Sequence, residues 1–197
     1  MGARPILRSL VLLVALLSAS TAGGQNDWVI VAGGPRDLQR IGPYHFARAA
    51  SHGQSYPGAL RAFGSPSSRG VDPALAEVCI VRWVALGLDV RFASLPAGAA
   101  QPCSPASLRR SSWAGATIHA RRWRTARGLQ VGDPVARLRS LYPRARYRDR
   151  PPAPPAWLLV FVPGEAGLIV RLQAYVWDGR VTELDLPPAY ANVGSSG

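Results

Sequence analysis

Apolar positions along the chain recur with two different periods, and each period assigns an element. Leu88-Asp89-Val90-Arg91-Phe92 alternates with period two, so Leu88, Val90 and Phe92 share a buried face and Asp89 and Arg91 point the other way. Val78 to Val84 is apolar and β-branched, and a turn at Leu86-Gly87 makes it the antiparallel partner of that strand. Trp157 to Val162, Leu168 to Trp177 and Arg180 to Leu186 read as three more strands. They are joined by Gly164-Glu165-Ala166-Gly167 and by the tight hairpin signal Asp178-Gly179. On the long strand, Leu168, Val170, Leu172, Ala174 and Val176 share one face; Ile169, Arg171, Gln173, Tyr175 and Trp177 share the other. Trp28 to Ala32 suits a short strand and Pro35 to Gly42 a helical turn.

Two segments carry helix signals. Ser55 can cap a helix with Pro57 in its first turn; Tyr56, Leu60 and Phe63 fall on one face, and Gly64 and Pro66 stop it. Asp133 followed by Pro134 repeats this start, with Leu138 and Leu141 at the same offsets from the cap as Leu60 and Phe63 from Ser55. Each helix precedes a loop and strand-like sequence, which predicts an internal duplication. Three segments read as connectors: Pro96 to Ser112, the proline-dense Pro151 to Pro155, and a loose tail from Pro187. The expected fold is α+β, with two tandem units, each a short helix or helix pair on an antiparallel sheet of about three strands. The first unit spans 27–105 and the second 119–188, with a linker at 106–118 and a flexible tail at 189–197.

The N-terminus changes the setting. Arg4 and Arg8 precede the apolar run Leu10 to Leu17 and the small residues Ser20-Thr21-Ala22, which is the pattern of a secretory signal peptide over 1–22. That run is short for a hydrocarbon layer of ~30 Å, and no later stretch is apolar enough to span one. Export places Cys79 and Cys103 in an oxidising compartment, so the two are expected to pair, contributing about 3–4 kcal/mol through loop closure. The expected location is extracellular or at the cell envelope.

Charge narrows the partners. The net charge is +12, and all 23 basic residues are Arg. A G+C-rich coding bias accounts for that choice, but the positive field is physical and favours anionic partners. Arg121, Arg122, Arg124 and Arg127 surround Trp123, and Arg144, Arg146, Arg148 and Arg150 alternate around Tyr147. Arg171, Tyr175 and Trp177, on the polar side of the long strand, are residue types that anchor protein interfaces. These patterns point to a protein or an anionic envelope polymer as partner; export disfavours nucleic acid.

Catalytic chemistry is not signalled. The sequence has no Gly-x-Ser-x-Gly elbow, no close carboxylate pair and no phosphate-cradling glycine loop. His45, His52 and His119 are scattered without metal-ligand spacing, so no metal and no cofactor is expected. The expectation is a non-catalytic binding module; the alternative is a hydrolase of cell-wall or extracellular polymers.

The capped helix ending in Phe63-Gly64-Ser65-Pro66, followed by antiparallel strands and echoed from Gly132-Asp133 through Leu141, resembles a known family. It is similar to the beta-lactamase-inhibitor-protein-like fold, related to small outer-membrane-assembly lipoproteins of the BamE type. The string from Trp123 to Asp133 also resembles uncharacterised exported proteins of actinobacterial type. The resemblance implies a tandem helix-plus-sheet architecture and inhibitor-like protein binding. The second helix departs from the family pattern by ending in Tyr142-Pro143, and the second half lacks the cysteines such inhibitors carry.

Overall fold

In the computed structural model, residues 28–32, 39–45, 55–94, 101–149, 154–164, 167–187 and 192–194 are described. The signal-peptide reading of 1–22 and the turn signal at Glu165-Ala166 lie outside them. The chain runs β1 (Val29–Ala32), β2 (Gln39–Ile41), β3 (Tyr44–His45), α1 (Tyr56–Phe63), β4 (Ser68–Val71), β5 (Val78–Trp83) and β6 (Leu88–Ala93). It continues through α2 (Pro105–Arg110), β7 (Ser112–Ile118), β8 (Arg124–Thr125), α3 (Val135–Leu141), β9 (Arg146–Arg148) and β10 (Ala156–Gly164). The last strands are β11 (Gly167–Trp177), β12 (Arg180–Leu186) and β13 (Asn192–Gly194).

The first helix forms for the reasons its sequence states. Ser55 Oγ accepts the Gly58 N–H at 3.3 Å, Pro57 sits in the first turn, and Gly64 leaves the helix at φ 76°. Its Phe-Gly ending has two uses in packing. Phe63 sets its ring against Trp83 at 5.4 Å and Trp123 at 6.4 Å, while the Gly64 carbonyl accepts the Trp83 indole N–H at 2.9 Å. α3 starts one residue later than expected. Pro134 is its N-cap, and Asp133 instead accepts the Gln130 N–H at 2.9 Å and pairs with Arg137.

The fold is α+β, but the sheets are larger than expected. The order β4-β5-β6-β7-β12-β11-β10-β9 runs through strands of both halves in one antiparallel sheet, and β13 adds to β11. The halves meet where β7 pairs with β12, at Ile118↔Leu184, Thr117↔Asp185 and Ala116↔Leu186. The segment 106–118, expected as a linker, therefore supplies most of α2 and a central strand. Ser-rich helix starts and the small residues Ala114, Gly115 and Ala116 disguise it in the sequence. The tail expected to be loose supplies β13, and Gln39–Ile41, expected in a helical turn, is a strand.

One face of the large sheet is apolar. Leu88, Val90 and Phe92 of β6, Ala116 and Ile118 of β7, and Leu184 and Leu186 of β12 are buried there with Leu172 and Ala174 of β11. Tyr56 and Ala59 of α1, Leu108 of α2 and Leu138 of α3 join the same cluster, so all three helices cover this face. A second sheet, β3-β2-β1-β8, adds Ile30 and Ile41 to it. Cys79 and Cys103 form a disulfide that ties the chain before α2 to β5.

Candidate functional site on the polar sheet face

Because side chains alternate across a strand, the residues opposite this core line the other face of the large sheet. Cross-strand register aligns Arg82, Asp89, Thr117, Asp185 and Gln173 in one row over five strands. Tyr175 lies opposite Glu183 beside it. Among the described residues, no helix packs on this face.

Asp185 is the centre of the row. Its side chain is 6% exposed, and it accepts from Arg91, from the Thr117 hydroxyl at 3.0 Å and from the Gln173 amide at 2.9 Å. The Gln173 amide also donates to the Tyr175 hydroxyl at 3.0 Å. Arg91 reaches Asp185 from two strands away, across Gly115, its own cross-strand partner on β7. A Cβ at Gly115 would stand 3.0 Å from the Arg91 guanidinium and from the Leu186 carbonyl, and φ there is 130°. Glycine is thus the residue that lets the arginine lie across the strand. Burial pushes the Tyr175 hydroxyl up to about 12, with the Asp185 charge adding to the effect. A cavity of about 370 Å³ opens over Arg91, Thr117, Pro154, Tyr175, Glu183 and Asp185. A second, of about 480 Å³, shares Arg91 and Asp185 and runs toward Asp72 and Glu77.

A second cluster sits toward the end of the sheet near the β5–β6 turn. His119 Nε2 lies 3.8 Å from Asp89 and Nδ1 lies 3.8 Å from Glu183, while Asp89 also pairs with Arg82 at 3.3 Å. The Asp89 carboxylate is the largest influence raising the His119 pKa, opposed by burial and helped by Glu183 and Asp185. At these separations the protonated ring is held by ion pairing rather than by a close proton-transfer bond. Thr117, the nearby hydroxyl, bonds to Asp185. Among the described residues, no group of His, Cys, Asp and Glu is placed to hold a metal ion.

The His119 shift fixes a sign. A folded-state pKa above the unfolded 6.5 means the contact stabilises the fold fully below that pH and is lost as pH rises through the folded pKa. With the side chain 42% exposed, the gain is under about 1 kcal/mol. His119→Gln is expected to remove this acid-side increment in urea unfolding and leave alkaline stability unchanged. An NMR titration of the ring with a midpoint at or below 6.5 would contradict it.

The structure brings together only some of the residues singled out from sequence. Arg171, Gln173 and Tyr175 share the polar face; Arg171 and Gln173 are buried at its β10 side and Tyr175 is half-buried. Trp177, at the end of β11 beside the Asp178-Gly179 turn, is 79% exposed. Arg121, Arg122 and Arg124 are exposed, and Arg122 lies over the Trp28 ring at 5.0 Å. Trp123 is not part of a basic surface. It is 1% exposed, and its indole donates to the Leu86 carbonyl at 2.7 Å, because the chain needs a large side chain where α1 meets the small sheet. Asp185, Thr117 and Glu183 are not singled out by the sequence, His119 stands there only as a scattered histidine, and Arg91 falls with Asp89 on the polar side of its strand without a partner.

No family model matches the chain, and no curated protein does either. Among solved structures, it is similar to an extracellular protein containing an SCP domain from Bacillus anthracis, with a TM-score of 0.38 and 12% identity. The likeness covers 68% of this chain and spans 43% of that protein's length.

Proposed function

We propose that this is an exported, non-catalytic binding module whose partner is a protein seated on the polar face of the large sheet. The observation that carries the reading is Trp177. A tryptophan 79% exposed at the end of a strand beside a preformed polar network is a large apolar side chain with nothing to cover it among the described residues. Interface anchors are of this kind, and the fixed donors and acceptors around Asp185 would supply orientation at little entropic cost. The disulfide supports an oxidising, extracellular or envelope setting.

The duplication belongs to the same reading. The first half runs α1-β4-β5-β6-α2-β7 and the second α3-β9-β10-β11-β12; apart from α2, inserted before the last strand of the first, each is a helix followed by four antiparallel strands, and the halves meet last strand to last strand. Two tandem units sharing one continuous sheet would make a single broad surface, as the inhibitor-like resemblance implies. The hydrolase alternative is less favoured at His119, which stands 3.8 Å from either carboxylate, while the Thr117 hydroxyl near it in sequence bonds to Asp185.

The test compares tagged protein with Trp177→Ala in capture from the producing cell's envelope and secreted fractions. Trp177→Ala is expected to move stability by less than about 0.5 kcal/mol, since the side chain is exposed. A species held by the wild-type protein should be lost or weakened at least tenfold, roughly the 1.4 kcal/mol of one modest anchor. Identical capture by both proteins would reject this face as the interface.

A further inference from the structure

A second surface, on the helix side of the sheet, carries chemistry that the polar face does not. Between the C-terminal end of α3 and β10 runs a half-open groove of about 580 Å³, lined by Arg127, Tyr142, Pro143, Arg144 and residues 159–161. Three arginines sit over aromatic rings: Arg127 over Tyr142 at 5.2 Å and Arg146 over Phe161 at 5.1 Å, both rings lining the groove, and Arg139 of α3 over Trp157 of β10 at 5.4 Å. Arg144 is exposed on its wall. Among the described residues, none of these four guanidinium groups has a carboxylate partner. Elsewhere the same chain does pair arginines, as at Arg82, Arg91 and Arg137.

From this arrangement we infer that the groove binds a polyanionic chain of the phosphodiester type with polyol links, a partner distinct from the protein proposed for the polar face. Stacking on a ring fixes a guanidinium plane and leaves its N–H edge outward, so little side-chain entropy is lost on pairing. A tetrahedral phosphate can bridge two such edges, where a planar carboxylate closes on one fork. The floor of Leu159, Val160 and Phe161 suits uncharged links between charges. Nucleic acid fits less well, because Tyr142, Phe161 and Trp157 each already carry a guanidinium on one face, which leaves Tyr147 as the exposed ring nearby. A membrane surface fits less well, because the site is concave.

The experiment measures binding of poly(glycerol phosphate) to the whole folded protein by isothermal titration over a salt series. Arg139→Gln/Arg144→Gln/Arg146→Gln is compared with a charge-matched control, Arg61→Gln/Arg69→Gln/Arg110→Gln, all exposed positions. Arg127 is left intact because it also donates to the Leu141 carbonyl. Wild-type binding should weaken steeply with salt, and the groove variant should lose about tenfold or more in affinity while the control loses less than about threefold. Equal losses in the two variants would reduce the effect to net charge and overturn the site. Tighter binding of single-stranded DNA or of phosphatidylglycerol vesicles would overturn the assigned ligand.

Discussion

Trp123→Ala is expected to cost about 3–5 kcal/mol, the largest loss from any single aromatic truncation in this chain. Trp123 is fully buried and stands where α1, the small sheet and the β5–β6 turn meet. Its ring makes edge contacts with Trp28 at 4.9 Å and Phe63 at 6.4 Å, each arrangement contributing about 0.5–1.5 kcal/mol beyond burial. Its indole N–H satisfies the Leu86 carbonyl at 2.7 Å, which fixes the turn leading into β6. Trp123→Phe separates the two contributions: it keeps most of the apolar volume and leaves that carbonyl without its donor, so about 1–3 kcal/mol should go. Urea unfolding followed through the remaining tryptophans measures both. A loss under about 1 kcal/mol for the alanine variant would mean that the small sheet and α1 are not coupled through this residue.

The same residue shows what sequence can and cannot convey. Arg121, Arg122 and Arg124 around Trp123 look like a basic surface with an aromatic centre, yet the aromatic turns inward, because short bridges such as β8 reverse side-chain direction without a periodic signal. Local rules held where the structure is local. Ser55 caps α1, the Leu88–Phe92 alternation marks its buried face, and Asp178 takes φ 49° in the hairpin it was expected to make. What was not legible is pairing across distance. Nothing in Ser112–Ile118 announces a central strand, since Ala114, Gly115 and Ala116 are chosen by what passes over and beside them rather than by β-propensity. Without that strand, the two helix-plus-meander halves look like separate sheets. The polar face was half legible: Arg171, Gln173 and Tyr175 follow from period two, while the charges they meet come from β6 and β12 and depend on register.

Asp185→Ala should be the second large effect, because one carboxylate serves three donors from three other strands. Removing it leaves the Arg91 guanidinium, the Thr117 hydroxyl and the Gln173 amide without their shared acceptor. Breaking a buried charge pair costs about 3–5 kcal/mol; here about 3 is expected, since Arg91 remains 26% exposed and can rehydrate in the cavity beside it. The double variant Arg91→Met/Asp185→Leu should recover much of the loss, because an apolar pair of similar size leaves fewer unmet polar groups and no buried charge. Asp185→Asn supplies a readout independent of stability. The Tyr175 hydroxyl, pushed up to about 12 by burial first and by the Asp185 charge second, should titrate lower once that charge is gone. NMR of labelled tyrosine during an alkaline titration follows this. An Asp185→Ala protein as stable as wild type, together with an unmoved Tyr175, would show that the polar row is an accident of register. If instead both change, the face is built around one buried anion, and Trp177 stands at the edge of a surface already organised to receive a partner.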